Sequence, residues 1–230
     1  MHRKPLLITF SGLDGSGKST QIANLQAVLA SWNCTARLIT FWDDVVVLTR
    51  YRERFVHKVF KSEQGVGAPG KPVNRRDKNM RGWYLTLARH GLYLLDALHL
   101  RRVVARARKS GADVLIMDRY IYDELANLPL ANSLSRAFAR MIAALVPRPN
   151  VALLLDANPD EARERKPEYP VEFMRECRSW YHELAALLGT MIIIPPLQLE
   201  QAKDAVIRTV AAALSRPVHG SPELEWKETA

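Results

Sequence analysis

Apolar residues along this chain gather in five short runs, at 6–10 (LLITF), 36–42 (ARLITFW), 114–118 (VLIMD), 151–156 (VALLLD) and 191–194 (MIII). Each is almost continuously apolar, as expected of strands buried on both faces. Between them the apolar positions repeat at helical spacing, most clearly over 20–31 and over 80–109. Strands that alternate with helices predict an α/β fold, in which a parallel sheet is covered by helices on both faces. One stretch breaks the rhythm. Residues 61–79 (KSEQGVGAPGKPVNRRDKN) mix glycine, proline and basic side chains and predict a long basic loop inserted in the domain. The end of the chain, 217–230, is rich in turn residues and predicts a flexible tail after a domain spanning 1–216.

Composition narrows the picture. The 230 residues suffice for one well-filled domain, with 48% apolar and 25% charged residues. No apolar run approaches the length of a membrane span, and the short first run reads as a strand, not a signal peptide. The two cysteines, Cys34 and Cys177, form neither a disulfide framework nor a metal-ligand spacing, which points to a reducing, cytoplasmic setting. The net charge of +9 fits either nucleic acid or small anionic ligands. The basic stretches lack interleaved aromatics, so nucleic acid is not the expected partner.

The chemistry sits after the first run. Gly12-Leu13-Asp14-Gly15-Ser16-Gly17-Lys18-Ser19 fits G-x-x-x-x-G-K-[ST], with a predicted strand before it and a predicted helix from Thr20 after it. Glycines let successive backbone N–H groups turn inward, and with the helix N-terminus they form a seat for a polyphosphate. Gly12, Asp14, Gly15, Ser16, Gly17, Lys18, Ser19 and Thr20 are therefore the residues expected at the ATP site. Lys18 would meet the outer phosphates, and Ser19 would ligate Mg²⁺. Asp14 is the anomaly, because a carboxylate beside a triphosphate is repelled unless it faces elsewhere. It is expected to turn toward a second substrate, or else to bond within its own turn. Asp118 ends the third strand, where an acid can hold magnesium directly or through water. Arg119 beside it can grip an acceptor phosphate with its planar fork.

Taken together, GLDGSGKSTQ, MDRY and LLLDANPDEARERK, in this order and spacing, resemble the thymidylate kinases among the P-loop nucleoside-monophosphate kinases. The resemblance covers most of the chain. It implies a P-loop NTPase three-layer sandwich with a five-stranded parallel sheet, transfer of the γ-phosphate of ATP to a nucleoside monophosphate, and a homodimer formed through helices. It also implies that Asp14 contacts the acceptor sugar and that 157–169 forms a mobile lid. Some members carry a basic residue inside the P-loop, where this chain has Gly15. The charge is then expected from the lid, from Arg163 and Arg165, with Lys166 a further candidate.

The acceptor side departs from the family. Thr40-Phe41-Trp42-Asp43-Asp44 stands where an Arg-Glu-Pro-Gly-Gly element is usual, and Asp96-Ala97 stands where the long helix usually carries Asp-Arg. Arg75, Arg76, Lys78, Arg81 and Arg89 are candidate replacements. Trp42, Trp83 and Tyr84 are candidates for an aromatic wall or for core packing, and His90 and His99 for packing. The expectation is ATP- and Mg²⁺-dependent phosphoryl transfer to a small phosphorylated acceptor, with Lys18, Asp118, Arg119, Arg163 and Arg165 as the catalytic set. A kinase for a nucleoside, a sugar or a lipid-linked phosphate remains open on the same residues. So does a non-kinase P-loop ATPase or nucleotide-binding module.

Overall fold

The computed structural model describes residues 4–47 and 83–214. The basic loop 61–79, with Arg75, Arg76 and Lys78, lies outside the described residues, as do Arg81 and the tail. Five parallel strands form one sheet: β1 (Leu6–Ser11), β2 (Ala36–Thr40), β3 (Val114–Asp118), β4 (Val151–Leu155) and β5 (Met191–Ile194). Their order is β2-β3-β1-β4-β5, so the strand that feeds the glycine loop is central. The described helices are α1 (Lys18–Ser31), α2 (Trp83–Ala107), α3 (Ile121–Leu125), α4 (Ser133–Leu145), α5 (Pro159–Arg165), α6 (Val171–Leu188) and α7 (Leu199–Leu214). No helix among the described residues is long and apolar enough to cross a membrane.

Strand alternation divides the core into two layers. Ile8, Phe10, Val114, Ile116, Val151, Leu153 and Leu155 face Ile22, Leu25 and Leu29 of α1 and Val206 and Val210 of α7. Leu7, Leu115, Met117, Ala152 and Leu154 face the other way, toward Leu100 and Val104 of α2, Ile142 of α4 and Leu184 of α6. This is the three-layer sandwich, and double-sided burial explains why the inner strands β1, β3 and β4 lack polar alternation; the edge strands β2 and β5 depart from that expectation and leave Leu38, Ile192 and Ile193 exposed. The register pairs Phe10 with Asp118 and Asp118 with Thr40, so the strand ends that bear the chemistry line up on one edge.

The second strand is shorter than its apolar run predicts. It stops at Thr40, and Phe41–Val45 form a turn of π-helix. β2 is an edge strand, and the Asp44 carboxylate accepts the Thr40 amide at 2.7 Å, closing the turn with a side chain. Phe41 is fully buried, while Trp42 is 42% exposed and packs edge-on against it.

Candidate active site

The glycine loop links β1 to α1 as its motif predicts. Gly12, Gly15 and Gly17 all have positive φ. At Gly15 (φ +79°) an added Cβ would fall well inside van der Waals distance of the Ala162 carbonyl of α5, so this helix lies directly on the loop. That contact explains why the position holds glycine and leaves no room for a basic side chain there. Lys18 is buried, and its Nζ donates to the carbonyls of Gly12 (3.0 Å) and Leu13 (2.5 Å) and, more weakly, to the Ser16 hydroxyl (3.4 Å). Burial, followed by the charge of Arg119, pushes its pKa down to about 8, although Asp123, Asp14 and Asp118 pull the other way. Ser19 and Thr20 stand exposed in the first turn of α1.

Arg119 has φ +67°, rare for a side chain other than glycine, and its amide bonds to the Phe10 carbonyl at 2.9 Å. Its guanidinium is clamped between two carboxylates. Nη2 donates to Asp14 in a short ion pair, and Nη1 donates to Asp123 at 2.9 Å. Burial disfavours the charged guanidinium, but Asp123 and Asp14 outweigh it and hold its pKa above the ordinary arginine value. Asp14 therefore turns toward Arg119. Of the paired residues at the end of β3, Asp118 is half-buried, close enough to Lys18 for their charges to interact.

Two clefts meet at this loop. The larger, about 190 Å³, is bounded by Gly12, Leu13, Asp14, Arg119 and Asp123 at its floor. Its walls are Trp42, Asn127, Tyr169 and one face of α6: Phe173, Met174, Cys177, Trp180 and Tyr181. Phe173 contacts both Tyr169 and Trp180, with ring centroids 5.5 and 6.0 Å apart. The smaller cleft, about 30 Å³, lies on the other side of the loop, between Ser16, the segment before α5 (Asp156, Ala157, Asn158), Arg165 and the turn Pro195–Pro196–Leu197.

The three cations at the end of α5 are not equivalent. Arg165 lines the smaller cleft and bonds back to the Glu161 carbonyl at 3.1 Å. Arg163 donates to the Tyr169 carbonyl at 3.2 Å and so braces the segment that carries this ring. Lys166 reaches furthest toward the floor of the larger cleft, with Nζ 4.0 Å from Asp14 and 3.3 Å from Glu168. α6 is fastened to the segment after β4 by Arg178, which grips Asp156 through two bonds of 2.7 Å. Burial raises the Asp156 carboxyl, but Arg178 and His182 more than offset this and keep it below the usual range.

Several cleft-lining residues escaped the sequence reading. Phe173, Cys177, Trp180 and Tyr181 share one face of α6 at i, i+4, i+7 and i+8, a legible pattern that reads first as ordinary core. Asp123 and the proline turn carry no motif. His99 bonds through Nδ1 to the Val45 carbonyl at 2.7 Å, and His90 packs edge-on against Phe138. Asp96 is fully buried and accepts the Val47 amide at 2.8 Å, and Ala97 beside it is fully buried, so this helix offers no Asp-Arg reader.

No family model matches the chain. Curated relatives do. A protein of Archaeoglobus fulgidus named "Probable thymidylate kinase" is 23% identical over 218 residues, 91% of this chain and 97% of its own length. One of Pyrobaculum aerophilum with the same name is 31% identical over 136 residues, 55% of this chain and 67% of its own length. The thymidylate kinase of Caenorhabditis elegans is 26% identical over 172 residues, covering 71% of this chain and 68% of that one. With the glycine loop on the central strand, α5 packed on that loop and relatives spread along nearly its whole length, the chain belongs to the thymidylate kinase family.

Proposed function

We propose that the protein transfers the γ-phosphate of ATP to the phosphate of a nucleoside monophosphate. One observation carries the reading: the loop around Lys18 is the shared wall of two clefts, with Ser16 on one side and Gly12 to Asp14 on the other. ATP would enter from the lid side, with its base toward the proline turn. The acceptor would enter from the aromatic side, and the two phosphates would meet over the loop. An acceptor phosphate oxygen attacks the γ-phosphorus in line as the bond to the β–γ bridging oxygen breaks and ADP leaves. Such transfer depends on position and positive charge, and needs no strong general base.

Each residue then has a task. Lys18 exchanges its bonds to the loop carbonyls for bonds to phosphate oxygens. Arg119 holds the acceptor phosphate, Asp14 faces the acceptor sugar, and the lid's Arg163, Arg165 and Lys166 bring charge toward the transferred group. The exposed Ser19 hydroxyl and the Asp118 carboxylate suit magnesium, which takes few protein ligands alongside phosphate oxygens, and they would hold it; bound there, it would neutralise phosphate charge. Leu94, Leu95 and Leu98 are exposed on α2, which supports a homodimer through this helix. A cytoplasmic setting fits two free thiols.

The test is ADP release with a panel of nucleoside monophosphates. Lys18→Ala is expected to lower turnover roughly a thousandfold or more while the fold persists. Turnover indifferent to that change removes the reading.

A further inference from the structure

Asp123 lines the larger cleft yet has nothing left to offer a ligand. It is 4% exposed, and its carboxylate accepts four hydrogen bonds, two on each oxygen. Oδ1 receives the Arg119 guanidinium at 2.9 Å and the Tyr181 hydroxyl at 2.7 Å. Oδ2 receives the Ser11 hydroxyl at 2.7 Å and the Tyr120 amide at 3.1 Å. A carboxylate has about four lone-pair directions, and here all are filled. The four donors come from the end of β1, the residue that follows β3, the start of α3 and the middle of α6. Capping α3 would need only the Tyr120 amide; the other three bonds lead elsewhere.

We infer that Asp123 is a positioning residue for phosphoryl transfer: with Tyr181 and Ser11 it locks the buried side of the Arg119 guanidinium, so that this arginine and its partner Asp14 are already set when the acceptor arrives. The backbone of Arg119 supplies the second reason. Its left-handed conformation is one that arginine seldom adopts and that persists only where surroundings over-determine it. Asp14 is 31% exposed, so it alone would tether the guanidinium from the solvent side only. Of the five guanidinium N–H groups, the contacts to Asp14, Asp123 and the Gly12 carbonyl (3.4 Å) use three. Two remain to meet an acceptor phosphate from a fixed plane. Because two carboxylates flank it, Arg119 contributes directed hydrogen bonds more than net positive charge, and their value depends on that plane being held.

The inference rests on the kinase reading for its catalytic meaning, and the tests separate the two. In steady-state assays with a nucleoside monophosphate that the wild type turns over, Asp123→Asn should raise the KM for the acceptor at least tenfold. The KM for ATP should stay within twofold. Tyr181→Phe, which removes one donor and keeps the ring, should shift the same constant about threefold in the same direction. The second measurement needs no turnover: ¹⁵N NMR of arginine side chains, with the Arg119 signals assigned by their loss in Arg119→Lys. Wild-type Nη–H signals should be resolved by slow rotation, and should broaden and merge in Asp123→Asn and Tyr181→Phe. If Asp123→Asn does not fold, Tyr181→Phe and Ser11→Ala carry both measurements. An unchanged acceptor KM, an equal rise in both KM values, or a guanidinium equally restrained in the variants overturns the inference. If no nucleoside monophosphate is turned over, the kinase reading fails, and the NMR result still decides whether Asp123 holds Arg119.

Discussion

The glycine loop and the larger cleft are built by opposite means. The loop is one contiguous stretch, Gly12 to Thr20, and its glycines are dictated by conformation and, at Gly15, by the approach of Ala162. The larger cleft is assembled largely from side chains on six separate pieces: the π-turn, the loop, the end of β3, α3, the segment after α5, and α6. A backbone-built seat tolerates few sequences, because each residue is fixed by geometry. A side-chain-built cleft can be rewritten piece by piece while the sheet beneath it stays the same. This accounts for a chain that keeps the glycine-loop motif while its second strand ends in Thr40-Phe41-Trp42-Asp43-Asp44.

The sharpest way to break this contrast is at Gly15. Gly15→Ala adds a single methyl group, but it meets the Ala162 carbonyl and demands φ +79° of an L side chain. Either the loop or α5 must move. We expect kcat to fall about a hundredfold, the scale attached to losing one pre-positioned donor at a transfer site. Acceptor affinity, measured by calorimetry without ATP, should stay within twofold. A fall in acceptor affinity matching the fall in kcat would mean that the two sides are not separable.

The aromatic wall gives the converse test. Phe173→Ala or Trp180→Ala removes a ring from the larger cleft and leaves the loop untouched. A base stacked on an aromatic ring gains about 1–3 kcal/mol, so the acceptor KM should rise roughly tenfold, with the KM for ATP unchanged. Equal activity in both variants would show that the acceptor does not use this wall.

The same contrast explains what could be read from the chain in advance. The five strands, the glycine loop and helix α5 follow from local pattern: continuous apolar runs, φ-driven glycines, and an Asn158 cap on a helix with proline in its first turn. The end of β2 did not follow, because a side-chain bond from Asp44 competes with an apolar pattern that would have carried the strand to Trp42. Asp14 was legible only as a misfit. Its partner Arg119 lies 105 residues away, and only the β1–β3 register brings the two together. Asp123 and the ring face of α6 were hidden for the same reason, since a buried carboxylate or a helical aromatic stripe shows its purpose only when the opposing element is in place.

The mildest test returns to the loop and uses pH in place of mutation. Burial lowers the Lys18 pKa from 10.5 to about 8 in the nucleotide-free protein. Between those two values the unfolded chain holds a proton that the native state has released, so this residue makes stability rise with pH across that window, and its full penalty is present below about pH 8. Binding of a triphosphate runs the other way, because the anion needs the charged lysine and must restore the proton wherever it has been lost. Affinity for ATP with magnesium should therefore be flat up to neutral pH and about tenfold weaker at pH 9. Calorimetry in two buffers of different ionisation enthalpy should find close to one proton taken up per ATP at pH 9 and almost none at pH 7. No uptake at pH 9 would mean that the Gly12 and Leu13 carbonyls already hold Lys18 in its charged form. The loop would then owe its affinity to a cation fixed before the nucleotide arrives, and the donor side would be as pre-set as Arg119 is on the acceptor side.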